Sequence, residues 1–181
     1  GAVLVLGCAN GRIALELADE EHRVVAVDPS KVMILSAEER RQHEGLDSER
    51  LRFVAADLRS FRSDERFRLV LAPQNALSLV ASLADLALLL ETVRVHLAPE
   101  GVFVFDVANP TADDPPAPRE HVHEGQPPLL EPPRPPFLPH LREHEPGPSR
   151  AQASSIRRLR LRQFEPAELQ AALEGAGFKA L

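Results

Sequence analysis

Ala2 to Leu6 is an unbroken apolar run that stops at Gly7-Cys8-Ala9-Asn10-Gly11, and a helical stretch from Arg12 to Ala18 follows. An apolar run without polar alternation marks a strand covered on both faces. The figure then repeats. Val24 to Val27 ends in Asp28-Pro29-Ser30, Leu51 to Ala56 ends at Asp57, Phe67 to Ala72 ends at Pro73-Gln74-Asn75, and Val102 to Val107 makes a fifth run. Ser30 reads as the N-cap of a helix reaching Glu44, with Gly45 as its stop. Ser82 and Asp85 form a capping box with Asp in the usual place of Glu. Leu83, Leu86, Ala87, Leu90, Val93 and Leu97 follow at helical spacing, and Pro99 with Gly101 ends that helix. Strands alternating with helices in this way predict an α/β fold, a doubly wound and mostly parallel sheet with helices on both faces.

The regularity stops at residue 109. Thirteen of the seventeen prolines lie between Pro110 and Pro148, among His, Glu and Arg and with little aliphatic content. Such a stretch lacks ladder donors and apolar surface, so 110–149 is expected to be an extended loop or insertion over the sheet edge. Alternation returns from Ile156, with Leu159 and Leu161 on one face and Arg158, Arg160 and Arg162 on the other, the pattern of an edge strand with a solvated side. Pro166 opens a short helix over Ala167 to Leu173, closed by Gly175 and Gly177, and Phe178 to Leu181 begins another strand. The expected organisation is one domain: a core over 1–109, the insertion over 110–149, and a completing segment over 150–181.

Composition narrows the functional classes. A chain of 181 residues with 44% apolar content can bury a full core. Its formal charge of −6 argues against a surface built for nucleic-acid phosphates. No apolar run reaches the roughly 20 residues that span a bilayer, and no secretory pattern opens the chain. The single cysteine, Cys8, fits a reducing compartment, so a cytoplasmic location is expected. The first residue is Gly1, which reads as a fragment or a processed chain.

Open parallel sheets bind ligands beyond the carboxyl ends of their strands. There the sequence places a glycine turn that admits a ligand close to the backbone at a helix N-terminus. Asp28 at the next strand end can accept both hydroxyls of a ribose, and Asp57 at the third can accept an adenine amino group. Together these strand ends describe an adenosine-shaped site. The alternative use of Gly7 and Gly11 is an ordinary strand-to-helix junction, and that of Asp57 a helix or turn cap.

Val3-Leu4-Val5-Leu6-Gly7-Cys8-Ala9-Asn10-Gly11-Arg12 resembles the first motif of class I S-adenosylmethionine-dependent methyltransferases, a strand running into G-x-G-x-G. Val25-Ala26-Val27-Asp28-Pro29-Ser30 with Met33 is similar to that family's ribose-binding strand end. Phe53-Val54-Ala55-Ala56-Asp57-Leu58 resembles the adenine motif, and Phe67 to Asn75 the fourth strand. Leu97-Ala98-Pro99-Glu100-Gly101, and Pro166-Ala167-Glu168-Leu169 leading to Ala176-Gly177-Phe178, match in order. The resemblance implies a Rossmann-like fold, S-adenosylmethionine as cofactor and a small-molecule methyl acceptor. It implies that Gly7, Ala9 and Gly11 line the methionine part with Cys8 beside them. Asp28 with Pro29 would serve the ribose, Met33 and Leu58 the adenine faces, Asp57 the adenine amino group, and Asn75 the neighbourhood of the methyl.

Two residues depart from the pattern. Ala9 replaces the middle glycine, and Val5 stands where an acid usually helps hold the cofactor's amino group. The family's N-terminal lid helices and final antiparallel strand are also missing from the sequence, which predicts a weakened grip on cofactor. No general base stands out, and none is required unless the acceptor must lose a proton. His96 is expected to complement a helix dipole. His121, His123, His140 and His144 lack the framework of a metal site, and no metal is expected. Cys8 is read as a small filler of its turn. Two rivals remain: a nicotinamide-dependent oxidoreductase, whose G-x-G-x-x-G spacing is not met, and a non-catalytic module of the methyltransferase type.

Overall fold

Val3 to Leu6 are each no more than 2% exposed, because this first strand lies in the middle of a sheet with helices on both sides. The computed structural model describes residues 1–20, 22–108, 119–123 and 157–179. Five parallel strands, β1 (Ala2–Leu6), β2 (Arg23–Asp28), β3 (Leu51–Ala55), β4 (Phe67–Ala72) and β5 (Leu97–Phe105), pair in the order β3-β2-β1-β4-β5. The order reverses between β1 and β4, so the loops leaving those two strands diverge and open a crevice at the carboxyl edge.

Alternating side chains divide the core in two. Val3, Val5, Val24 and Ala26 pack under α1 (Arg12–Asp19) and α2 (Lys31–His43), with Ala14, Leu15, Ile34 and Ala37 facing them. Leu4, Leu6, Val25, Val27 and Val70 pack on the opposite face against Leu86, Leu89, Leu90 and Val93 of α3 (Leu83–His96) and Leu169 of α4 (Pro166–Gly175). The doubly wound sheet read from the alternation is therefore the fold.

Caps begin the helices where the sequence places them. The Ser30 hydroxyl accepts from Met33 N at 3.4 Å and the Ser82 hydroxyl from Asp85 N at 3.1 Å. The capping box is altered in one respect: the Asp85 carboxylate accepts from the Ser82 hydroxyl at 2.8 Å. Aspartate is one methylene shorter than the glutamate that usually reaches back to the N-cap backbone.

Several sequence expectations need correction. The helix of Ser82 ends at His96, and β5 begins at once with Leu97, five residues earlier than its apolar run suggests and two short of Val107 at its end. Pairing starts at Phe67 with Leu97 and resumes at Leu69 with Val102, so Pro99, Glu100 and Gly101 form an irregularity inside the strand. Glu100 takes a φ of 59° there, and a Cβ on Gly101 would stand 2.9 Å from the Ala98 carbonyl oxygen. The proline-rich stretch contains a strand, β6 (Arg119–His123), whose backbone pairs antiparallel with β7 (Arg157–Leu161) in a separate two-stranded sheet. The alternating stretch thus supplies an edge strand, β7, in a sheet separate from the main one. Finally, 178–179 are not a strand, while residues 180–181 lie outside the described residues, as do 109–118 and 124–156 with His140 and His144.

Beyond β7 the chain is tied back to the core. Arg162 N donates to the Ser78 carbonyl at 2.9 Å, its guanidinium bonds Glu168 at 2.7 Å, and it lies over the ring of Phe164, which is buried. Arg162 is therefore engaged in packing. His96 is fully buried. Its Nδ1 donates to the Thr92 carbonyl at 2.7 Å while Nε2 accepts from Ser63 N at 2.9 Å, so the ring is a neutral strut and not a charged complement to the helix dipole. No described helix is long and apolar enough to cross a membrane.

Candidate functional site

The turn after β1 is built by backbone. Gly7 N and Cys8 N both donate to the Val27 carbonyl, at 2.8 and 3.1 Å, which folds the turn across the end of β2. Gly7 has a φ of 74°, and a Cβ there would come within 2.7 Å of the Ala76 side chain beyond β4. Leu58, after β3, lies 3.8 Å from the same point. Loops leaving β1, β3 and β4 thus converge on Gly7.

Gly11 is needed for a different reason. Its φ is 82°, and a Cβ would strike the Phe53 ring at 2.6 Å and Ala37 at 3.1 Å. Ala9, which stands where the motif expects glycine, also adopts a positive φ, 49°, a conformation an L-residue holds at a cost of roughly 1 kcal/mol. What holds it there is Asp28.

Asp28 is the centre of the arrangement. It is only 7% exposed at the end of β2, where Oδ2 accepts from Ala9 N at 2.9 Å and Oδ1 from Ser30 N at 2.8 Å. One carboxylate therefore fixes both the glycine turn and the N-cap of α2. Each oxygen has a second lone pair not used by these bonds. Burial raises the Asp28 pKa above the ordinary value, and the two amides oppose that rise. The same burial, with the negative charge of Asp28 nearby, raises the Cys8 thiol well above its ordinary range. Cys8 is a buried filler, as its position in the turn suggests. In the native protein Ellman's reagent should leave it untouched at pH 8 and titrate one thiol after unfolding; prompt native reaction would place it at the surface.

The amides of Gly7, Cys8, Ala9 and Gly11 are all satisfied within the protein. The turn therefore presents fewer free donors than a glycine loop suggests. What it leaves open is the start of α1: no side chain caps it, and its first turn holds no acid. That end favours an anionic group through its unpaired amides and dipole.

Asp57 is held otherwise. Its side chain is 43% exposed, and Arg59 grips it with the backbone amide and Nε on Oδ1, both at 2.9 Å, and Nη2 on Oδ2. Nη1 of Arg59 reaches Asp85 in the first turn of α3. Hydrogen bonding from Arg59 lowers the pKa of Asp57. Asp57 thus serves as a turn cap in this structure, the alternative that its sequence position allows.

Asn75 follows β4 with a φ of 61°, after Gln74 at 57°. Asp106 makes this bend possible, accepting from Gln74 N at 2.6 Å and Asn75 N at 2.8 Å. The Asn75 side-chain oxygen accepts from the Ser78 hydroxyl at 2.6 Å and Ala108 N at 3.1 Å. Of the remaining sequence-marked residues, Met33 is buried on α2 and Pro29 is exposed between β2 and α2. Arg59 and Asp106 were not singled out from the sequence. Asp106 had a signal, being the one acid within the fifth run, near its end as Asp28 and Asp57 stand at the ends of the second and third. Nothing local marks Arg59, because its second partner lies on another element.

A nucleoside with two vicinal hydroxyls fits the spare acceptors of Asp28, and a zwitterionic tail fits the open end of α1. Asp57, the acid at the third strand end, is taken up by Arg59.

Comparison with known proteins follows the same line. The pattern of a methyltransferase domain matches residues 3–101. The cypemycin N-terminal methyltransferase of a Streptomyces species is 31% identical over 108 residues, which are 60% of this chain and 42% of that protein. A solved S-adenosylmethionine-dependent methyltransferase from Clostridium acetobutylicum superposes with a TM-score of 0.71 at 16% identity, over 97% of this chain and 72% of that one. The glycopeptide N-methyltransferase MtfA, solved with S-adenosylmethionine, superposes with a TM-score of 0.66 at 22% identity, over 100% and 72%. The chain spans 42% of the length of the curated relatives it matches.

Proposed function

Because the chain belongs to the methyltransferase domain family, we propose that it binds S-adenosylmethionine at the carboxyl edge of its sheet and serves methyl transfer to a small-molecule acceptor. The observation that carries this reading is Asp28. A buried carboxylate, anchored through one lone pair of each oxygen and open at the other, is suited to the two hydroxyls of a ribose. An incoming ribose would therefore meet an acceptor already oriented, with little further ordering to do.

The sulfonium of the cofactor supplies an activated methyl group, so this chain's residues need to bind, align and exclude water. Asp28 would hold the ribose, and the uncapped start of α1 would receive the carboxylate of the amino-acid end. Gly7, Cys8, Ala9 and Gly11 would form the floor beneath that end. Pro29 would flank the ribose, while Met33 and Leu58 would close the adenine faces. Asn75 would stand near the methyl, its bend held by Asp106. The acceptor fits best as a small molecule, given the negative charge of the whole chain. The names of the two relatives cited for nitrogen methylation, an N-terminal and a glycopeptide N-methyltransferase, favour an amine nitrogen.

One observation favours the second reading, a module that no longer turns over: Asp57 is already occupied by Arg59. Calorimetric titration with S-adenosylhomocysteine, with NAD in a parallel experiment, separates the possibilities. Saturable binding of S-adenosylhomocysteine alone is the expected result. NAD binding alone would replace the reading with an oxidoreductase, and silence from both would leave a fold without its ligand.

A further inference from the structure

Arg59 spans two acids that behave differently. Asp85 is a fixed anchor, set in the first turn of α3 and bonded to the Ser82 hydroxyl. Asp57 sits on the short connection after β3, about as exposed as Arg59 itself, at 43% and 41%. Three N–H groups of Arg59 converge on Asp57: the backbone amide and Nε fill Oδ1, while Nη2 and the shared Nε, at 3.2 Å, take up Oδ2. An amino group approaching that carboxylate must displace at least one of them, since an oxygen accepts about two good hydrogen bonds. The side-chain fork can leave, because it is exposed and water can replace it. The backbone amide can stay.

We infer that Arg59 is a latch on the adenine end of the site, closed on Asp57 when no nucleoside is bound and parked on Asp85 when one is. This rests on the cofactor reading given above. Arg59 is a positioning residue in this scheme, acting through Asp57, and its consequence is that nucleoside binding competes with an internal ion pair.

The latch makes two variants move in opposite directions. Arg59→Ala removes the competitor, so S-adenosylhomocysteine should bind about two- to fivefold more tightly. Asp85→Asn removes the parking place, so the released guanidinium is left without a partner and binding should weaken by a similar factor. A brace that only stiffens the turn would make both variants weaker. The experiment is calorimetric titration of the wild type, Arg59→Ala and Asp85→Asn with S-adenosylhomocysteine, with thermal unfolding of each to establish that it is folded. Arg59→Gln replaces the alanine variant if that one does not fold. Opposite shifts support the latch. Wild-type binding with no tightening in either Arg59 variant overturns it and leaves the cofactor reading standing. Absence of binding in the wild type and in the Arg59 variants overturns both, whereas binding that appears only once Arg59 is replaced supports both.

Discussion

Replacing Asp28 by alanine should weaken S-adenosylhomocysteine binding by about 3 kcal/mol or more, at least 100-fold in dissociation constant, because two charge-assisted hydrogen bonds are lost together. The loss extends to the walls of the site. Ala9 N and Ser30 N are left without their acceptor, and the positive φ of Ala9 loses the bond that holds it. Asp28→Asn is the sharper variant, since it keeps the shape but turns one acceptor into a donor facing a backbone N–H. Titration calorimetry of both variants measures the effect, and unchanged affinity would remove Asp28 from the site.

Acid gives the same residue a second signature. Its folded pKa is raised by burial, so the folded state takes up a proton at a pH where the unfolded chain is still ionised. Above the folded pKa the buried charge costs stability. Between the folded and unfolded pKa values that cost is progressively relieved as pH falls, so Asp28's own contribution to stability rises on acidification. Nucleoside affinity moves the other way, because the protonated carboxyl has lost acceptor capacity. The difference between wild type and Asp28→Asn, followed in both stability and affinity from neutral to acid pH, should therefore show two slopes of opposite sign.

Gly7→Ala is the second large effect, expected to cost about 2–5 kcal/mol of stability. A left-handed backbone costs a non-glycine residue about 1–2 kcal/mol, and overpacking adds about 1–3. The clash is with a side chain whose Cβ has no rotamer to escape through: Ala76, at 2.7 Å. Ala76→Gly in the same chain should restore the steric part and leave the backbone part unpaid. Urea unfolding of the two single variants and the double variant gives the coupling. Additive effects would mean that the loops after β1 and β4 do not meet at Gly7.

The architecture was legible because each element carries its own signal. Apolar runs without alternation gave the buried strands, and Ser30 and Ser82 gave the starts of two helices. Asp28 was legible for the same reason, being the polar residue that ends a buried run. Features that depend on partners distant in sequence were not. His96 looks like a last-turn cation until Ser63, from the loop before β4, supplies the N–H that makes it a neutral acceptor. Asp57 looks like an open carboxylate until Asp85 shows why Arg59 lies across it. The early start of β5 was hidden by Pro99 and Gly101, which read as helix stops and stand inside an irregular strand. The pairing of β6 with β7 joins two segments on either side of most of the prolines, and no local pattern announces it.

The strand order carries a consequence in time. β1 is made first, yet it lies between β2 and β4, and Val3 is paired on one side with Val24 and on the other with Leu69. A chain emerging from the ribosome can close one flank of β1 as soon as β2 is available. The other flank stays open until β4 has been made, exposing unpaired backbone. Through that interval the nascent chain offers neighbouring molecules the same edge it is reserving for itself.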